Sequence, residues 1–187
     1  KGGIHQKAGT SGLAFLKIDV GTRAVAMGRT MTAIPDGVAA VYGNPAGLLK
    51  IHAKEFAMTY NTWLADMNYS HVSFGLPMSD KTAIAFSGSF LDYGKIEGRD
   101  LTGFPTGTVR GYDQMLGFTL AYRRNKDLGV GMTMKAMRER LDDNKAKAVG
   151  FDFGMIQQTR VPGLFLGAAV QNLGSRIKFI QQADPLP

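Results

Sequence analysis

The chain has 187 residues, with 22 Lys and Arg against 15 Asp and Glu, a formal net charge of +7, and no cysteine. The length suits one domain, and the lack of cysteine excludes both a disulfide framework and a cysteine-ligated metal site. Mean hydropathy is -0.08; no run approaches the ~18 consecutive apolar residues of a membrane helix, and the charges fall between periodic segments, which argues against a nucleic-acid partner.

Residues 1–53 are rich in Gly and Ala and show no clean period-2 run. Ala24-Val25-Ala26-Met27 reads as a short helical turn. Asn44-Pro45-Ala46-Gly47-Leu48 reads as another: Asn44 is a good N-cap, Pro45 suits the first helical position and Gly47 permits an early exit. Asp36-Gly37 and Gly43 supply turns. This segment is expected to be compact and plug-like, and residues 54–187 to form a separate wall.

From Glu55 the pattern becomes alternation, the mark of strands with two distinct faces. The apolar stripes are Phe56, Met58, Tyr60; Val72, Phe74, Leu76; Ile84, Phe86, Phe90; Leu116, Phe118, Leu120, Tyr122; Leu128, Val130, Met132, Met134; Val149, Phe151, Phe153, Met155; and, least cleanly, Leu164, Leu166, Ala168, Val170. Tight turns are expected at Ser79-Asp80, Asn125-Lys126-Asp127 and Val161-Pro162-Gly163. Longer loops are expected over Lys95–Gly111, Arg140–Lys147 and Ser175–Asp184. Such asymmetry is typical of outer-membrane barrels.

The opposite faces decide between a soluble sandwich and a membrane wall. A solvated face carries Lys, Glu, Asp and Arg; here it carries Gly, Ala, Ser and Thr. Thr82–Leu91, Gln114–Tyr122 and Val161–Gly174 contain no charged residue. Tyr60, Trp63, Tyr69, Tyr93, Tyr112 and Tyr122 lie near strand ends, where aromatic girdles belong. The pattern predicts an all-β, antiparallel transmembrane barrel. Seven strands would leave open edges, so the chain is expected to continue past Pro187. It also opens at Lys1 with no signal core, so any export signal is expected to have been removed.

Ala8-Gly9-Thr10-Ser11-Gly12-Leu13-Ala14-Phe15-Leu16-Lys17-Ile18 resembles the opening of mature PorV/PorQ-family proteins. Gly21-Thr22-Arg23-Ala24-Val25-Ala26-Met27-Gly28 is similar to that family's Arg-Ala…Met-Gly segment. Asp36–Ala40 and Val41-Tyr42-Gly43-Asn44-Pro45-Ala46-Gly47-Leu48 are similar to its Asn-Pro-Ala-Gly-Leu region, a motif shared with the wider FadL-like superfamily. Asn172-Leu173-Gly174 and Asp184-Pro185-Leu186-Pro187 look like landmarks before an eighth strand. At Gly43 relatives often carry Trp or Asn. The resemblance implies a fourteen-stranded FadL-like barrel of the bacterial outer membrane, with the N-terminal segment plugging its lumen. It implies one of two roles. PorV-type proteins serve type IX secretion, accepting cargo with a C-terminal sorting domain; FadL-type proteins admit long-chain fatty acids and other hydrophobic small molecules.

The sequence offers no catalytic constellation and no cofactor motif. His5, His52 and His71 lack metal-ligand spacing, and His71 is expected to face the lumen. Ser87-Gly88-Ser89 lacks the glycines of a nucleophile elbow; Gly129-Val130-Gly131 lacks the third glycine of a dinucleotide fingerprint. Asp142-Asp143-Asn144 reads as a solvated loop outside any EF-hand register. Candidate site residues therefore concentrate in the plug: Arg23, Met27, Gly28, Asp36, Asn44, Pro45, Ala46 and Gly47. Arg23 is either a latch to the wall, with Asp36 or Asp152 as its carboxylate, or a charge at the periplasmic mouth in water. The Asn-Pro-Ala-Gly turn would fix the path of the plug. Three roles compete: a secretion-associated interaction protein bound to membrane lipid, secretion machinery and cargo; a passive transporter of hydrophobic molecules; and a soluble β-protein with a basic surface.

Overall fold

The computed structural model describes residues 12–28, 30–35, 37–142 and 144–175. Seven strands form one antiparallel sheet in sequence order: β1 Glu55–Thr62, β2 Asn68–Pro77, β3 Thr82–Arg99, β4 Pro105–Arg123, β5 Leu128–Leu141, β6 Asn144–Gln158 and β7 Phe165–Gly174. Every neighbour is the next strand in the chain, the up-and-down arrangement that short connections dictate. Among the described residues, β1 pairs only with β2 and β7 only with β6.

Among the described residues, four 3-10 segments and one short α-helix accompany the strands. Ala14–Lys17, Val38–Tyr42 and Pro45–Lys50 are 3-10, as is Leu64–Asp66 between β1 and β2; α1 spans Thr22–Ala26. Met27 and Gly28 end α1: Met27 N–H reaches Arg23 O, Gly28 N–H reaches Val25 O, and Gly28 takes φ +61°. A left-handed residue after a helix is what glycine accommodates. Asn44 caps the Pro45 segment, its side chain accepting from Ala46 N–H at 3.0 Å with Pro45 in the first position. Gly47 does not end that segment, which runs on to Lys50; instead Gly47 is buried where a Cβ would meet Pro35 Cβ at 2.6 Å. Close packing, not an exit, explains it.

The strands correct two expectations. The anticipated loops over Lys95–Gly111 and Arg140–Lys147 are largely strand: β3 and β4 continue as a ribbon to Arg99 and Pro105, and Leu141 at the end of β5 pairs with Asn144 at the start of β6. The connections at the two rims are thus of similar length, and the asymmetry resides in the 18- and 19-residue strands β3 and β4. Tyr69 and Tyr93 also depart from the expected girdle. Tyr69 is fully buried on the inner face in phase with His71 and Ser73, and Tyr93 turns inward to Asp113.

Both faces otherwise follow the alternation. Phe56, Met58, Phe74, Phe86, Phe118, Leu120, Met132, Met134, Phe153, Leu166 and Val170 are exposed on the outward face. Phe86 meets Phe118 across β3–β4, ring centroids 5.3 Å apart. From Tyr122 to Tyr112, both outward on β4, the strand rises about 33 Å at ~3.3 Å per residue. At a ~40° tilt this is about 25 Å, of which the wholly apolar part, Tyr122 to Leu116, is about 15 Å; above it Gln114 and Tyr112 pair with Arg138 and Arg140.

The inner face is covered by residues 13–51 and divides into three zones. Leu13, Phe15, Ile18 and Val20 pack on Tyr69, Leu91, Met115 and Met137. Val38, Val41, Leu48 and Ile51 pack on Ala83, Ala85 and Ala121. Between these clusters the wall contributes polar residues: His71, Ser73, Ser89, Thr119, Thr133, Lys135 and Asp152, all buried.

Candidate functional site: the plug and its polar belt

The zone of close approach depends on missing side chains. A Cβ on Gly131 would strike the Pro45 carbonyl carbon and Ala46 N. One on Gly154 would strike the Asn44 side chain, and one on Gly167 would lie 2.5 Å from Thr32 O. Three glycines on β5, β6 and β7 therefore open the groove in which the Asn44-Pro45-Ala46 turn sits. There Asn44 is almost fully buried, and its Nδ2 donates to Thr32 O at 2.7 Å and to Met155 O at 3.1 Å. One side chain thus closes its own turn, ties two plug segments together and fastens both to β6.

Wall side chains hold the plug backbone at further points. Glu55 Oε2 accepts from Val38 N–H at 2.9 Å, and Glu139 Oε2 accepts from Leu13 N–H at 3.1 Å. The Arg123 guanidinium donates to Leu49 O at 3.1 Å, and Gln171 Nε2 donates to Tyr42 O. Backbone groups without a helical or sheet partner must be satisfied somewhere, and here the wall satisfies them.

The belt centres on a buried ion pair. Lys135 Nζ lies 2.6 Å from Asp152 Oδ2, with both side chains almost wholly buried. Asp152 Oδ1 accepts from Asn172 N–H at 2.8 Å, and Asn172 Oδ1 accepts from Lys135 Nζ at 3.0 Å. This triangle needs a bulge: β7 slips register opposite Asp152, and Asn172 takes φ +58°. Asparagine tolerates that left-handed conformation better than most residues. Lys135 Nζ also lies 5.7 Å above the ring of Tyr42, whose hydroxyl donates to Leu16 O at 2.8 Å. Tyr42 meets His71 edge-on at 5.5 Å; His71 Nδ1 bonds Ser89 Oγ at 2.8 Å, and Tyr69 donates to the same oxygen at 3.1 Å. Plug and wall share one polar network running through Tyr42.

Among the residues singled out from sequence, Asn44, Pro45, Ala46 and Gly47 come together in the buried turn. His71 faces inward, 1 % exposed. Arg23, Met27 and Gly28 are exposed on and after α1. Asp36 lies outside the described residues, as do His5, Ala8–Ser11 and Asp184–Pro187. Asp152 is not the latch for Arg23: its two oxygens are taken by Lys135 and Asn172. Arg23 lines a cavity of about 320 Å³ together with Lys17, Asp19, Thr22, Tyr42 and Gln171. Sequence reasoning missed Lys135, Asn172, Tyr42, Glu55 and Glu139. A lysine in phase with Gly131 and Thr133, on the uncharged face, was the available signal.

No family model matches the chain, and no curated protein sequence matches it.

Proposed function

We propose that this chain is the plug and part of the wall of a bacterial outer-membrane β-barrel of PorV/PorQ type, acting as an interaction protein in type IX secretion. The observation that carries the reading is the outward face: an apolar surface across the sheet from the row of Tyr122 to the row of Leu116, edged above by Phe90, Gln114 and Tyr112, and backed by an inner face covered by the N-terminal segment. A soluble sheet would cover that surface or solvate it. Further strands are required to satisfy the edges of β1 and β7 in lipid; a FadL-like count of fourteen belongs to this proposal.

The interior favours protein handling over the alternative of hydrophobic transport. A fatty-acid conduit needs an apolar lumen. Here the described cavity at the plug sets Lys17, Asp19, Arg23, Gln171 and Asn172 among Leu16, Val20 and Met31, and the large apolar residues of the inner face are already covered by plug residues. Cargo and machinery would then meet the β3–β4 ribbon that extends past the apolar band. Purification of the native protein from its own membrane tests this. Recovery of a cargo protein bearing a C-terminal sorting domain is the expected result. Recovery of bound fatty acid alone would replace it with the transport reading, and a protein that stays in solution without detergent would overturn both.

A further inference from the structure

A band of cations stands on the outward face just beyond the lipid-facing stripe. On β5 the stripe Val130, Met132, Met134 gives way to Arg138 and Arg140. On β6 the stripe Met155, Phe153, Phe151, Val149 gives way to Lys147 and Lys145. The register sets them opposite one another, Arg138 beside Lys147 and Arg140 beside Lys145. Like charges directly opposite on one face of an antiparallel pair repel, so this arrangement is unfavourable unless an anion lies over it.

Nothing in the chain supplies that anion among the described residues. None of the four forms an ion pair. Arg140 Nε donates to the carbonyl of Asp142, not to its carboxylate. Arg138 stacks its guanidinium over Tyr112 at 5.9 Å, and its Nε has no acceptor. Tyr112 in turn stacks on Phe90 at 5.8 Å, which fixes the level of the cations as the edge of the aromatic girdle. Acyl chains against Met134, Phe151 and Val149 would place their head groups at this level.

We propose that Arg138, Arg140, Lys145 and Lys147 form a binding site for the phosphate groups of a phosphorylated membrane lipid in the leaflet at the ribbon-bearing rim. The proposal rests on the membrane-wall reading above. Paired arginines and lysines suit it chemically: Arg presents a fork matched to phosphate oxygens, and Lys adds a mobile point charge. The site is peripheral, so its occupant arrives laterally through the bilayer and anchors the wall at a fixed depth.

The test uses the full-length protein that contains this chain, in detergent micelles, titrated with diphosphoryl lipid A and read by native mass spectrometry. Wild type is expected to retain the lipid, and Arg138→Gln/Arg140→Gln/Lys145→Gln/Lys147→Gln to lose about fivefold in affinity per cation removed, the effect of one basic residue near an anionic surface. Arg124→Gln/Lys126→Gln, at the opposite rim, is expected to bind as wild type. Unchanged binding by the quadruple variant would overturn the proposal, as would equal loss in the control pair. Full competition by millimolar inorganic phosphate would also overturn it, by showing a site for free anion. Failure to enter phosphatidylcholine vesicles would instead strike the membrane reading itself; entry without preference for phosphorylated lipid strikes this site alone.

Discussion

Substituting Lys135 by Met should be the most damaging single change in the belt. At 2.6 Å the Lys135–Asp152 pair has a gross attraction of about 6 kcal/mol at an effective dielectric of ~20, most of which offsets the desolvation of the two ions. Removing only the lysine leaves Asp152 charged, fully buried and still fixed by Asn172 N–H. Breaking one side of such a pair costs about 3–5 kcal/mol. Urea unfolding of the chain in detergent micelles, followed by the fluorescence of Trp63, measures this directly because Trp63 is the one tryptophan. With a urea dependence of ~2 kcal/mol per molar, the midpoint should fall by about 2 M. The double variant Lys135→Met/Asp152→Asn removes both charges and keeps an oxygen for Asn172 N–H. It should recover to within roughly 1–2 kcal/mol of wild type, giving a large coupling energy. A single-variant loss below ~1 kcal/mol, the value of an exposed pair, would refute the reasoning by showing that water reaches the node and that the plug does not seal it.

Other substitutions probe the groove, the outward face and the ribbon tip. Gly131→Ala drives a methyl into the Pro45–Ala46 backbone and should cost about 1–3 kcal/mol, whereas Gly88→Ala, whose nearest neighbour lies at 3.6 Å, should be near neutral in the same unfolding assay. Asn44→Ala removes the cap to Ala46 and the bonds to Thr32 and Met155, a loss of roughly 2–3 kcal/mol, and should expose residues 32–51 to proteolysis before the strands. Phe118→Arg, on the apolar outward face of β4, should on the proposed membrane reading lower insertion into phosphatidylcholine vesicles by about 2–4 kcal/mol; improved solubility with no insertion defect would contradict a membrane face. At the ribbon tip, the Thr102 hydroxyl and the backbone N–H groups of Phe104 and Thr102 hold the Asp100 carboxyl below its ordinary range. A depressed pKa stabilises the charged form, so the tip's order is present above the ordinary Asp pKa and lost as pH falls through the lowered one. NMR titration should place the Asp100 midpoint below the ordinary Asp value.

The outward stripes were legible because period 2 needs no knowledge of partners: Phe118, Leu120 and Tyr122 declare one face by spacing alone. The plug's turn was legible for the same reason, since Asn44 and Pro45 act on their own neighbours. What stayed hidden depended on register. Reading Arg140–Lys147 as a loop concealed that β5 runs to Leu141 and β6 begins at Asn144. Once Leu141 is set against Asn144, Lys135 falls beside Gly150 and diagonal to Asp152, and the ion pair follows. Tyr69 and Tyr93 were misplaced because nearness to a strand end was weighed above phase. The glycines at 131, 154 and 167 marked an inner face, but nothing in their spacing says that a backbone turn, rather than water, fills the space.

That filling bears on how a lumen of this kind could work. Displacing the plug would break the attachments at Leu13, Val38, Tyr42, Asn44 and Leu49, each worth about 1 kcal/mol. It would also expose Leu13, Phe15, Ile18, Val38, Val41, Leu48 and Ile51, at ~1.5–3 kcal/mol for each large side chain. Against these losses stands the backbone entropy that a released segment regains, about 1–2 kcal/mol per residue, so the contacts hold the segment in place without by themselves setting an open population. Transport by plug release would have to break these attachments together. A path for small molecules would have to skirt the plug through the edge of the wall, beside the β7 bulge. A partner protein needs no such path: it can read the β3–β4 ribbon and the outer rim while the lumen stays shut. The covering of the inner face by Leu13, Phe15, Val38 and Leu48 thus supports the proposed interaction role for the same physical reason that it stabilises the fold.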